Sequence, residues 1–338
     1  MTVADKQDNT RNVATGDAAP SAHPGTRPPR DLQRTFRLVL ATVWLLDAAL
    51  QLQPFMFTRG SNGFSGMLNG LASGNPVIIH GSVTWNASNV YHHPILSNAI
   101  FASIQFVIAF GIVYKRTCKP ALVLSIVWAM GVWWFGESAG EIFLGGATPF
   151  GGGPGGVLFY ALLAVLLWPS EGSDRPFVAA RTVGLGVAKA IWVVVWGALA
   201  TLSLVGSGRS PQALHDLVAG LDNGQPGWLA HIDRSSESLL LHHGTAMAVL
   251  LAIVCVIVAV GVFMPQQIAQ VTLVLAIVTF ALIWVAVQDV GGILAGSATD
   301  PNSGLLVILL ALIYWPLATS RVASRDVKQD VASVARED

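Results

Sequence analysis

About eight apolar runs dominate the chain, near 36–57, 95–114, 120–136, 155–169, 183–204, 243–263, 268–288 and 304–319. A helix that spans a bilayer needs roughly 17–25 apolar residues. Backbone inside lipid must also satisfy its own hydrogen bonds, so runs of this length fold as helices. The predicted class is therefore all-α, a polytopic membrane protein of about eight transmembrane helices with the lipid bilayer as its first partner. The runs at 155–169 and 304–319 are short, which predicts helices that begin inside the glycine-rich stretches before them. Composition agrees: 11% of the 338 residues are charged, against about a quarter in a soluble domain. Nineteen basic residues balance nineteen acidic ones, so no nucleic acid is implied as a partner. Two cysteines, Cys118 and Cys255, are too few for a disulfide framework or a thiolate metal site.

The basic residues predict an orientation. Arg30, Arg34 and Arg37 precede the first run, and Lys115, Arg116 and Lys119 lie between the second and third. Arg175 and Arg181 separate the fourth from the fifth, and Arg321, Arg325 and Lys328 follow the last. The opposite loops hold only Arg59, Arg209 and Arg234. Cytoplasmic loops collect Lys and Arg, so both termini are expected on the cytoplasmic side of a bacterial inner membrane, with loops 58–94 and 205–242 outside. Residues 1–33 read as a disordered cytoplasmic tail, too polar to offset the entropy of ordering, and 321–338 as a second tail.

The chain also repeats itself. GLASGNP at 70–76 recurs as GLDNGQP at 220–226, His80 matches His231, and His92–His93 matches His242–His243. Trp133, followed by GGAT at 145–148, matches Trp284, followed by GSAT at 296–299. Each half closes on Trp–Pro, at 168–169 and 315–316. Four spans per half keep the copies in one direction, related by an axis along the membrane normal. The expected organisation is a four-helix repeat at 34–170, a cytoplasmic linker at 171–182 and a second four-helix repeat at 183–320.

In such a unit the shared polar residues fall at outer helix ends, which predicts an outward-facing polar cleft. Asp47 is placed near the middle of the first span, where a carboxylate costs roughly 2.5–3.5 kcal/mol. Gln51 lies one turn further out, and Asn98 and Gln105 share a face of the second span. These residues serve either interhelical hydrogen bonding or a proton or cation site. Glu137 and Glu141, at i and i+4, share a face if the third helix runs on through Gly136; their counterparts are Gln288 and Gly292, with Asp289 beside them. The candidate ligand-binding set is thus Asp47, Gln51, Glu137, Glu141 and Asp289. Candidate ligands for a zinc or copper ion are His80, His93, His231 and His243; the plainer reading has the histidines capping helices or bonding loop backbone. The stretch 145–156 has no following lysine and no preceding strand, so it is no phosphate loop. Asp300–Pro301–Asn302 reads as a turn ahead of a helix. Lys189 lies just inside the inner end of the fifth span, placed to snorkel to the surface.

Several features occur together. A basic residue precedes a first span with a polar patch (Arg37 to Gln53), GNP stands at 74–76, and Pro94 leads the second span. A basic inner turn follows at Lys115 and Arg116, then a glycine-rich connection from Gly140 to Gly156. In these the unit resembles the DoxX-like group of small bacterial membrane proteins, over most of 34–169 and more faintly over 183–316. The resemblance implies a redox-linked membrane component that works beside an oxidoreductase or another membrane protein. Three functions are in view: a binding or accessory component holding a metal ion or small ligand, a quinone-linked oxidoreductase subunit, and a transporter of protons or a small solute.

Overall fold

The computed structural model describes residues 31–170, 175–206, 209–221 and 224–317. Of the tail read at 1–33, residues 1–30 lie outside the described residues, as do the tail at 321–338 and linker residues 171–174, whereas Leu32 and Gln33 open the first helix. Among the described residues every regular element is helical. In the first part of the chain these are α1 (Leu32–Leu50), α2 (Pro54–Phe57), α3 (Phe64–Ala72), α4 (Val77–His92), α5 (Pro94–Val113), α6 (Cys118–Phe135) and α7 (Gly156–Leu166). In the second they are α8 (Val178–Val183), α9 (Leu185–Leu204), α10 (Pro211–Ala219), α11 (Gly227–Gly261), α12 (Gln266–Ala286) and α13 (Asn302–Ile313). Tight turns at Ser138–Leu144 and Asp289–Ala295 follow α6 and α12.

Among the described residues five helices are long and apolar enough to cross a membrane: α5, α6, α9, α11, and α12 together with the turn that continues it. The other three runs of the sequence became α1, α7 and α13. α1 has 19 residues but carries Arg34, Arg37 and Asp47. α7 has 11 residues and α13 has 12, rising only ~16–18 Å, little more than half of a hydrocarbon core. The glycine-rich stretch does not lengthen α7 as the sequence predicts. Gly145, Gly152 and Gly155 take positive φ, and the helix begins only at Gly156. The missing length is irregular backbone, which a membrane protein tolerates where it is buried in protein or lines a cavity.

α7 and α13 are therefore the middle of the molecule. They pack on each other and are buried nearly all round, through Val157, Phe159, Tyr160 and Leu163 on one and Leu306, Val307, Leu309 and Leu310 on the other. α6 packs on α7, α12 on α13, α5 on α1, and α11 on α9. The outward faces of the peripheral helices are as apolar as the inward ones: Val107, Val127, Val194, Val271 and Leu282 are 60–69% exposed. Helices apolar on both sides suit a lipid solvent.

Proline placement decides one difference between the halves. Pro94 has no N–H to donate and separates α4 from α5 at His93, whose φ and ψ are −129° and 54°. The position 150 residues on is Gly244, and there the helix continues: α11 runs for 35 residues, about 52 Å. That exceeds a bilayer core by about 20 Å, so its first turns stand clear, with α10 packed against them. In the first half α2, α3 and α4 close around a small core of their own, including Met56, Phe64, Leu68, Ile79 and Val83.

Candidate functional site

α6 and α12 end in the same unusual turn. Ser138, Ala139, Gly140 and Glu141 have φ of 52°, 55°, 62° and 57°, and Asp289, Val290, Gly291 and Gly292 have 50°, 54°, 74° and 69°. Left-handed backbone costs a non-glycine residue roughly 1–2 kcal/mol, and such strain persists only where the surroundings hold it. Here two tryptophans hold it. Trp133 Nε1 donates to the Pro154 carbonyl at 2.8 Å and Trp284 Nε1 to the Pro301 carbonyl at 2.7 Å. Gly140 and Gly291 press against the same two prolines, where a Cβ would collide with their backbone.

The turn changes the relation between Glu137 and Glu141. α6 stops at Phe135, so the two carboxylates do not share a helical face; three left-handed residues intervene and Glu141 is itself left-handed. Glu137 instead caps α7: its Oε1 accepts from the Val157 N–H at 3.2 Å. In the other turn Gln288 does the same work for α13. Its Oε1 accepts from the Gly304 N–H at 3.0 Å, while its Nε2 donates to Ser303 Oγ at 3.1 Å and the Pro149 carbonyl at 3.2 Å. Either side chain satisfies a helix N-terminus. Only the carboxylate leaves an atom over, because Glu137 Oε2 is buried without a donor.

Asp300 joins Glu137 across the two halves. Its Oδ1 accepts from the Asn302 N–H at 2.7 Å and its Oδ2 from Thr299 Oγ1 at 3.0 Å, so the turn read from the sequence is present. The same carboxylate also lies over Gly156 at the start of α7. Burial first, and then the charge of Asp300, push Glu137 up to about 8, so Glu137 holds its proton at neutral pH. Burial likewise raises Asp300 above the ordinary carboxylate range.

Asp47 lies behind this pair. α1 ends at Leu50 because Pro54 opens a new helix, so Asp47 sits in the last turn of α1 rather than mid-span. It is 2% exposed, its Oδ1 has no donor, and the Tyr160 hydroxyl and Asp300 are its polar neighbours. Tyr160 is wedged on Trp44, ring centres 4.3 Å apart, and Trp44 Nε1 donates to Ser125 Oγ at 3.0 Å. Gln51 is buried with Oε1 unsatisfied. Gln53 Nε2 ties the end of α1 to the other half, donating to the carbonyls of Leu50 at 2.8 Å and Ala298 at 2.9 Å.

Glu137 and Asp300 border a cavity of about 780 Å³, large enough for a small organic ligand. Its walls come from α3, α10, both turns and the loops 146–156 and 297–302. Much of the lining is glycine backbone, and the ionisable side chains on it are Glu137, Glu141 and Asp300. Asp289 is not among them. It is buried against Asp233 of α11, with Gln225 alongside, so of the expected ligand set only Glu137 and Glu141 line the cavity, Asp47 and Gln51 lie behind it, and Asp289 stands apart.

The four histidines do not form a metal centre. His80 Nδ1 pairs with the Ala72 carbonyl at 3.0 Å, clipping α4 to α3. His93 sits at the junction of α4 and α5, and His93, His231 and His243 are exposed. Among the described residues no three His, Cys, Asp or Glu side chains converge as a ligand set, so a zinc or copper ion does not fit the residues present.

Asp300, Tyr160 and Asp233 are the site residues that reading the sequence passes over. Asp300 was absorbed by its turn signal. Tyr160 is one of only four tyrosines and stands in an otherwise apolar helix, which is the cue that could have found it. No protein family, characterised protein or solved structure matches this chain.

Proposed function

We propose that the chain is a multi-pass protein of the bacterial inner membrane whose outward-facing cavity binds a small organic cation. In this reading α1, α5, α6 and α7 form one four-span unit and α9, α11, α12 and α13 a second, side by side and in the same direction. Both termini then face the cytoplasm. Support for the orientation comes from Arg34, Arg37, Lys115, Arg116, Arg175 and Arg181, which flank the helix ends remote from the cavity. The observation that carries the ligand class is the cavity lining. Among the described residues three carboxyl groups border it with no Lys, Arg or His, and one oxygen of Glu137 is buried without a donor. An anion would meet repulsion there and no counter-charge. The DoxX-like resemblance adds the setting, an accessory component beside a membrane oxidoreductase; the quinone-linked alternative rests on that resemblance alone.

Thermal stability of the full chain in mild detergent, titrated with putrescine and with succinate as an anion of similar length, tests the proposal. Putrescine should raise the melting temperature, and Glu141→Gln with Asp300→Asn should abolish the rise. Stabilisation by succinate instead, or by neither compound, would overturn it.

A second reading, transport of a proton or small solute, has one observation in its favour. The polar groups continue from Asp300 past Tyr160 to Asp47, inward from the cavity. Proteoliposome flux lost on Asp47→Asn, with putrescine binding retained, would favour it.

A further inference from the structure

The end of the bundle remote from the cavity holds a different pocket, of about 220 Å³, within the second half. Phe177, Trp192, Leu273 and Tyr314 wall it, and among the described residues Lys189 of α9 is the one charged side chain that lines it. Lys189 is half-buried, and its Nζ lies 5.0 Å from the centre of the Phe263 ring. Three of the polar edges of the walls are already occupied. Trp192 Nε1 donates to the Val258 carbonyl at 2.8 Å, Tyr314 OH to Ala188 at 2.7 Å, and Thr272 Oγ1 to Ala269 at 2.9 Å. The starts of α9 and α12 and the ends of α11 and α13 all border the pocket, so the partial charges of the helix termini offset one another. One full positive charge over an apolar floor remains.

We infer that this pocket holds the headgroup region of an anionic phospholipid, with its phosphate on Lys189 and its first acyl carbons against Trp192 and Leu273. The surrounding surface fits a ligand that arrives sideways from the bilayer. Val187 and Ile268, on helices that frame the pocket, and Phe263, in the turn between α11 and α12, are 54%, 50% and 55% exposed. Depth fits as well: Lys189 lies four residues past the start of α9, about 6 Å along the axis, within snorkelling reach of the headgroup layer. A zwitterionic lipid brings its own ammonium and gains little from a lone lysine. The inference is independent of what occupies the cavity at the other end.

Native mass spectrometry of the full chain in mild detergent tests it, with phosphatidylglycerol, phosphatidylcholine of the same acyl chains, and glycerol 3-phosphate as probes. Phosphatidylglycerol should bind preferentially. Lys189→Ala should weaken it about fivefold, the weight of one lysine at an anionic surface, and Lys189→Arg should retain it. Ala269→Leu narrows the pocket and keeps the charge, and should weaken the same lipid, which guards against a Lys189→Ala protein that fails to fold. Three results would overturn the inference: phosphatidylcholine bound equally well, phosphatidylglycerol bound unchanged by both substitutions, or glycerol 3-phosphate bound as tightly as the lipid.

Discussion

Replacing Glu137 by Gln puts into the first turn the side chain that the second turn already uses. The amide oxygen can accept from the Val157 N–H as Gln288 accepts from Gly304, so the cap on α7 survives. The proton does not. With Glu137 pushed up to about 8 from an ordinary 4.5, the folded protein binds a proton that the unfolded chain releases above pH 4.5. Native stability is therefore full below that value and declines as pH rises through about 8. The shift corresponds to at most about 5 kcal/mol, and at pH 7 to about 3 kcal/mol. Glu137→Gln removes this loss. Melting temperatures in detergent should coincide for wild type and variant at pH 4.5. They should separate with rising pH, the variant being higher by several degrees at pH 8.5, since 1 kcal/mol moves the midpoint by about 1–2 °C in a chain of this length. A variant whose pH dependence parallels wild type would refute the assignment of the buried proton to Glu137. One that melts far lower at pH 4.5 would refute the equivalence of the two caps.

Putrescine binding should tighten as pH rises through about 8, because a cation favours ionised Glu137 and must displace its proton; titration calorimetry in two buffers of different ionisation enthalpy would detect the release. Trp133→Phe leaves the Pro154 carbonyl without its donor and should cost about 1–3 kcal/mol, seen as a lower melting temperature, with Trp284→Phe costing a like amount. Gly140→Ala drives a methyl group into the Pro154 carbonyl at a left-handed position. It should destabilise by about 3 kcal/mol or more, whereas Gly131→Ala, with open space at its Cβ, should leave the melting temperature near wild type.

What the sequence revealed followed from period and composition. Long apolar runs, the basic segments between them and the matching Trp133 and Trp284 could all be read directly, because each reports on solvent or on local backbone. Where the chain changes hand could not. Glu137 and Glu141 sit at helical spacing, and nothing local shows that Ser138 and Ala139, neither of them glycine, adopt left-handed backbone; tertiary contacts from Pro154 enforce it. Asp47 was misplaced for a related reason. Hydropathy carries the first run through Pro54, but proline ends the helix and moves the carboxylate from mid-span to the last turn. Asp300 meets Glu137 from 163 residues further along the chain, a distance that no window of periodicity spans.

The twin turns separate packing from charge within one molecule. Left-handed backbone, a tryptophan bonded to a proline carbonyl and a side chain capping the next helix occur in both. The ionisable groups do not: Glu137 is answered by Gln288, Glu141 by Gly292 and Ser138 by Asp289. The intervening loops differ too. Trp133 and Trp284 are 151 residues apart and Pro154 and Pro301 only 147, so the first loop is four residues longer. Its glycines at 151–153 line the cavity. A neutral amide caps its helix as well as an acid does, so stability alone gives no reason to bury a carboxyl at 137, where it opposes folding as pH rises. Helix packing therefore leaves the extra loop and the carboxyl groups at its edge without a role, and the proposed cation supplies one.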